Sequence, residues 1–470
     1  MESKIESEKI IIKTRKESNC SNASASTSSS NDDEEKKQDK KEEEKIEIEI
    51  DLTKNEKIKD DKYEKFLSEI DEVEISRKTF CQKLKNICRE EEIENPLYDD
   101  ENRSIEEIIE SKGFKSEKHT IKTEDGYTLI LFRIPGGKNI EDGSKLPPVL
   151  LQHGLFDSSD GWVCNGEFHS ISFVLASHNF DVWISNSRGN KYCKKHDKYK
   201  EDSFEFWQFS FHDLGKYDLP AIIKYIRKTN KSNEKIIYFG HSQGTTMMFS
   251  ALTEQLDFYK NNIKLFVALA PVTRLNNLGS SFLNLLTNIS IHKIMIKAKT
   301  YEICPHSEGT SNFLNFMEKN ANGLTNFFIG LLSDSNSKEC NDQNSLSVYF
   351  KHYPCGTSLK NLIHYIQIIK SKKFIHFDYK EDANFIFYNQ KEPPEYNLSL
   401  IKDIPIMLIT GEKDKLATVD DARWLYNEIK TNVIYFDIVP NMGHLSFMCG
   451  RNFSWFKEPL EIILEEFYPK

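Results

Sequence analysis

The chain has 470 residues, with 63 Lys or Arg against 73 Asp or Glu and a formal net charge of −10. That balance supplies no basic stripe, which excludes a nucleic-acid partner. No run of 18 apolar residues free of charge occurs, so no membrane-spanning helix is expected either.

In chain order, residues 1–80 come first as a polar tail. Half of residues 1–60 are charged and the first aromatic residue is Tyr63. A serine-rich run (18–30) leads into a charged one (32–45), a composition that buries too little apolar surface to offset the entropy of ordering. The tail is predicted disordered, with IEIEI (46–50) as a strand-like pattern inside it. Residues 63–92 read as a charged helix. The N-terminus lacks the apolar stretch of a secretory signal. The nine cysteines form no CxxC pair and no zinc spacing. Both features predict a cytoplasmic chain with reduced thiols.

From about residue 95 the texture changes. HTIKTEDGYTLILFRIP (119–135) reads as two strands around an Asp125-Gly126 turn. Short apolar runs follow: PPVLLQHG (147–154), FDVWISNSRGN (180–190), IIYFGHSQG (236–244), LFVALAPV (265–272), IPIMLITGEKD (404–414) and VIYFDIVP (433–440). Helical patterns lie between them, such as Leu219 to Arg227 and Thr245 to Leu256. Continuous apolar strands alternating with helices imply an α/β fold with a mostly parallel central sheet flanked by helices. The interval 273–400 breaks the rhythm and reads as an inserted, mostly helical cap. The organisation is therefore a tail (1–80), a core in two parts (81–272 and 401–470) and the cap between them.

GHSQG (240–244) sits between the strand IIYF and the helical TTMMFSAL. A sharp strand-to-helix turn there lifts the Ser242 hydroxyl above the sheet edge, with Gly240 and Gly244 leaving room for it. A serine hydroxyl needs a base, and the base needs an orienting carboxylate. His444 alone among the histidines follows the last strand. Asp414 ends the preceding strand and is better placed than Asp420, Asp421 or Asp437. Oxyanion donors are expected from the backbone N–H of Gln243 and of Leu155, in the loop after VLLQ. His153, beside Leu155, stays open between a role in that loop and a packing histidine bonded to the backbone. No metal or organic cofactor is expected.

These segments together with FWQFSFHDLGKYDLPA, YPCGTSLKNLIHYIQ and NQKEPPEYNL, in this order, resemble the acid lipase family of α/β-hydrolases, from about residue 95 to the end. The family includes gastric and lysosomal acid lipases and yeast steryl ester hydrolases. The resemblance implies the α/β-hydrolase fold and hydrolysis of lipid esters, of triacylglycerol type, with steryl esters or short-chain esters as the alternative substrates. A non-catalytic lipid-binding homologue is the alternative of another class. It also implies Ser242, Asp414 and His444 as the triad, Leu155 and Gln243 as oxyanion donors, and residues 273–400 as cap and lid.

This chain departs from the family in three places. A charged tail replaces the signal peptide, no cysteine falls between 305 and 339 where a cap pair is expected, and Ser446 stands where the family usually has aspartate. The first two favour a reducing compartment, with peripheral contact to a lipid droplet or membrane. A secreted or lysosomal protein is the alternative if the tail belongs to a mis-joined gene start. Apolar stripes at Phe282, Leu285, Leu286 and Ile289, and at Leu324, Phe327, Phe328 and Leu331, are read as cap faces that pack on the core or meet lipid.

Overall fold

The computed structural model describes residues 98–278, 301–307 and 340–467, together with two short strands near the N-terminus. The chain divides into two units, Met1–Glu92 and Ile93–Lys470. In the first, Ile10–Lys13 pairs antiparallel with Lys45–Ile48. The remainder of the expected disordered tail, the helix expected over 63–92 and both cap stripes lie outside the described residues.

In the second unit, helix α1 (Ile105–Ser111) opens on a capping box. The Glu107 amide donates to Ser104 Oγ, and the Ser104 amide donates to the Glu107 carboxylate. Nine strands form one sheet. They are β1 (Glu117–Lys122), β2 (Tyr127–Ile134), β3 (Pro148–Gln152), β4 (Asp181–Ile184), β5 (Lys195–His196), β6 (Ile236–His241), β7 (Ile263–Leu269), β8 (Ile406–Gly411) and β9 (Val433–Val439). The order is β9-β8-β7-β6-β3-β4-β2-β1, and β5 pairs with β2. The pairings from β9 to β4 are parallel, while β2 joins β4 and β1 antiparallel.

Burial explains the pattern of residue types. Every residue of β3, β4, β6 and β8 is buried, as expected for strands with helices on both faces. By contrast β1 alternates, because one face of this edge strand meets solvent. The covering helices include α2 (Ile171–Ser177), α3 (Leu219–Thr229) and α4 (Gln243–Glu254). In α3, Ile222, Ile223 and Ile226 face the core, and Pro220 follows a π-helical segment, Leu214–Asp218, that runs directly into the helix.

The insertion between β7 and β8 contains α5 (Gln343–His352), α6 (Leu359–Ser371) and α7 (Glu381–Tyr388). It also holds a small antiparallel ladder, Glu302–Ile303 with Thr357–Ser358, in a region that the sequence reads as mostly helical. Strands of two residues carry no periodicity to read. Helices α8 (Val419–Ile429) and α9 (Lys457–Phe467) complete the core.

One motif shared by three segments has a structural job. The buried Arg188, just past β4, reaches Asp218 Oδ1 at 2.6 Å and Asp125 in the β1–β2 turn. Its guanidinium also lies 4.0 Å from the centre of the Tyr127 ring. Both carboxylates meet a permanent cation, so the ion pair ties the hairpin to the sheet end and to the start of α3.

Candidate active site

Three chain segments end at the carboxyl edge of the sheet and meet there. The first is the turn from β6 to α4. Ser242 takes φ 52° and ψ −115°, a left-handed conformation costly for a residue with a Cβ. The turn closes because Gly240 and Gly244 have no side chains. A Cβ on Gly240 would sit 2.7 Å from the Gly244 backbone, and one on Gly244 would sit 2.5 Å from the Gln152 carbonyl oxygen. The start of α4 therefore packs directly on the end of β3.

The second segment follows β8. Asp414 is buried, and its Oδ1 accepts from the Leu416 and Ala417 amides, each at 2.8 Å. The third follows β9 and carries His444. The two loops touch. The Lys413 amide donates to the Met442 carbonyl at 2.8 Å, and a Cβ on Gly411 would come within 2.3 Å of that oxygen.

His444 joins all three. Its Nδ1 is 2.8 Å from Asp414 Oδ2, and its Nε2 is 2.8 Å from Ser242 Oγ. With Nδ1–H donating to the carboxylate, Nε2 is left as the acceptor for the serine proton.

Behind His444 stands a group that the sequence reading did not single out. His241, the residue before Ser242, lies with its Nε2 2.9 Å from the His444 carbonyl oxygen. A carbonyl can only accept, so Nε2 carries the proton. Burial, and the neighbouring His444, push the His241 imidazole down to about 3, so it is neutral across the physiological range. Its place inside GHSQG was visible in the sequence, but its partner lies 203 positions away.

Ser446, the departure noted in the sequence, organises the same loop. Its Oγ accepts from the Gly443 amide at 2.9 Å and donates to Asn341 Oδ1 at 2.6 Å. Asp421 does not join the relay. It holds the chain after β7, accepting from the amides of Asn276 and Asn277 and from Arg274.

The expected oxyanion donors flank Ser242. Gln243 is the first residue of α4, where backbone N–H groups have no partner inside the helix. Its side chain is held by Asn361 of α6, whose Nδ2 donates to Gln243 Oε1 at 2.6 Å. Leu155 lines the pocket above Ser242, just after Gly154, whose absent side chain lets the loop approach the serine. His153 proves to be a packing histidine. Its Nε2 accepts from the Ser187 amide at 3.0 Å, its Nδ1 bonds the Gly154 carbonyl, and burial lowers it to about 4.

Above the relay lies a pocket that opens to solvent. Its walls are mostly apolar: Leu155, Val272 and Leu275 from the core, Tyr349 from α5, and Leu362 and Tyr365 from α6. Spacings of three and seven between Leu362, Tyr365 and Ile369 put one face of α6 into it. The buried Asp157 also borders the pocket. Desolvation raises its carboxyl to about 7, and the Tyr349 hydroxyl bonds it at 3.0 Å.

A doubly covered parallel sheet, an inserted cap and a serine-histidine-aspartate relay at the strand ends define an α/β-hydrolase. Comparison with known proteins narrows this. The alpha/beta hydrolase fold model matches residues 147–450, and the partial alpha/beta-hydrolase lipase region matches 105–166. Human lysosomal acid lipase/cholesteryl ester hydrolase is 39% identical over 364 residues, covering 75% of this chain and 88% of that protein. Gastric triacylglycerol lipase from Bos taurus is 37% identical over 352 residues, covering 73% and 86%. Human lipase member K is 34% identical over 373 residues, covering 78% and 92%. The chain belongs to the acid lipase family of α/β-hydrolases.

Proposed function

We propose that this chain is a lipase that hydrolyses fatty-acyl esters of neutral lipids by two-step acyl transfer. The observation that carries the reading is the unbroken relay from Asp414 through His444 to Ser242 Oγ, opening into an apolar pocket. His444 Nε2 takes the serine proton as Oγ attacks the ester carbonyl, and Asp414 stabilises the imidazolium that forms. The amides of Leu155 and Gln243 receive the oxyanion. His444 then gives its proton to the leaving alcohol. Water, deprotonated by the same histidine, attacks the acyl-serine and releases the fatty acid. No step calls for a cofactor.

Labelling with a long-chain fluorophosphonate, wild type beside Ser242→Ala, tests the mechanism. Wild type is expected to label and the variant not. Absence of labelling in wild type, with detergent or lipid present, would favour a non-catalytic lipid-binding homologue. Steryl esters are the second reading, supported by the name of the human lysosomal relative. Rates on triolein, cholesteryl oleate and a short p-nitrophenyl ester separate the two from a short-chain carboxylesterase.

Peripheral contact with lipid is supported by α7, whose Phe385, Ile386 and Phe387 are 46%, 81% and 61% exposed. Co-flotation with phosphatidylcholine vesicles should fall in Ile386→Asp. No helix among the described residues is long and apolar enough to cross a membrane. For the compartment, relatives named lysosomal and gastric support the secreted or lysosomal alternative over the cytoplasmic one. N-terminal sequencing of the natural protein tests this, and a chain that retains residues 1–80 would return the reading to the cytoplasm.

A further inference from the structure

The far end of α4 carries a second cluster of polar side chains that the ester chemistry does not use. Ser242 precedes the helix and Glu254 ends it, about 18 Å along the axis at 1.5 Å per residue. There Glu254 meets His212, from the short turn Phe211–Asp213, and His376, from the segment that follows α6. Each of the three offers a ligating atom within 4.8 Å of the others. Glu254 Oε1 is 3.4 Å from His376 Nε2, and Oε2 is 3.8 Å from His212 Nδ1.

We propose that His212, Glu254 and His376 bind a divalent transition-metal ion of the zinc class and thereby clip the cap segment to the end of the nucleophile helix.

Three observations support it. The two glutamate–histidine separations, 3.4 and 3.8 Å, come close to the edge of a tetrahedron with metal–ligand bonds of about 2.0–2.1 Å, roughly 3.4 Å. Two imidazoles and one carboxylate are a donor set suited to zinc, with solvent supplying a fourth ligand on the open side. The side chains remain 16–27% exposed, enough for an ion to enter.

The second observation is that the Glu254 carboxylate makes no hydrogen bond among the described residues, although only 27% of the side chain is exposed. A cation would relieve that cost. Third, both imidazoles are held in place. His376 stacks on Tyr396 with ring centres 4.0 Å apart, and the backbone His376 amide donates to the Pro394 carbonyl. His212 Nδ1 is 2.9 Å from the Tyr396 hydroxyl. The bond to the Tyr396 hydroxyl is one that His212 Nδ1 gives up when that nitrogen takes the ion.

Of the nearby charges, Lys216 opposes a cation and Asp213 favours one. The net charge of the filled site is then small.

The experiment is titration of the metal-stripped full chain with Co²⁺ and Zn²⁺, for wild type, His376→Ala and Glu254→Gln. Wild type is expected to bind one ion that both variants bind at least about 100-fold more weakly. The Co²⁺ spectrum should show visible d–d bands without the intense charge-transfer bands of thiolate ligation. Equal binding by wild type and both variants overturns the proposal, as does a thiolate spectrum or no binding by wild type. The wild-type spectrum decides the matter even where a variant fails to fold. None of the three residues belongs to the relay, so loss of metal without loss of fluorophosphonate labelling separates this site from the proposed catalysis.

Discussion

Asp414 uses its two oxygens differently. One accepts two loop amides and the other faces His444 Nδ1. In Asp414→Asn the amide oxygen stays with the Leu416 and Ala417 N–H groups, which turns the NH₂ toward the histidine. Nδ1 must then accept, the proton moves to Nε2, and the ring can no longer take a proton from Ser242. The geometry survives while kcat falls by roughly 10⁴. Hydrolysis of a soluble ester with circular dichroism unchanged checks this, and a variant within tenfold of wild type would remove Asp414 from the mechanism.

His241 makes a separate prediction about pH. Its folded value of about 3 lies below the ordinary histidine value of about 6.5. Between these two, the unfolded chain takes up a proton that the folded chain refuses, so this residue's contribution to stability falls as pH falls through that window. His241→Gln removes the slope. Its stability deficit against wild type in urea should be larger near about pH 7 than near about pH 4. An equal deficit at both would mean that His241 titrates normally in the fold.

Among the elements, β6, its turn and α4 act as one unit, and Gly244 is its tightest point. Gly244→Ala forces a Cβ to within 2.5 Å of the Gln152 carbonyl oxygen, which is backbone and cannot swing away. We expect a loss of about 1–3 kcal/mol, together with slower acylation as Ser242 shifts. Thermal unfolding and the labelling rate measure the two effects.

This unit was legible in the sequence, as were the long strands, because a strand covered on both faces must be apolar throughout and must end in turn residues. The relay residues were legible for the same reason, each sitting just past such a run. What stayed hidden has no local signature. The two-residue strand Lys195–His196 is too short to show alternation. The bond from His241 to His444 and the meeting of His212, Glu254 and His376 depend on where distant segments arrive.

Across the whole molecule, the cap segment is joined to the catalytic core through a buried side chain, Asn361. Its Oδ1 accepts from the Phe211 amide at 2.8 Å. Its Nδ2 donates to Gln243 Oε1 at 2.6 Å and to Thr357 Oγ1 at 3.1 Å. One residue of α6 thus pins the turn before α3, the first residue of α4 and the small ladder of the insertion. The adjoining face of the same helix, through Leu362, Tyr365 and Ile369, walls the pocket, so the position of the cap and the posture of Gln243 are coupled. Asn361→Leu keeps the volume but orphans a buried amide and a buried amide oxygen, each costing about 1–3 kcal/mol. The unfolding midpoint should drop. Because the Gln243 amide is an expected oxyanion donor, acylation by a short soluble ester should also slow by about tenfold, equal to roughly 1.4 kcal/mol of barrier. A variant that loses stability but acylates at the wild-type rate would show that Asn361 holds the cap without steadying the oxyanion site.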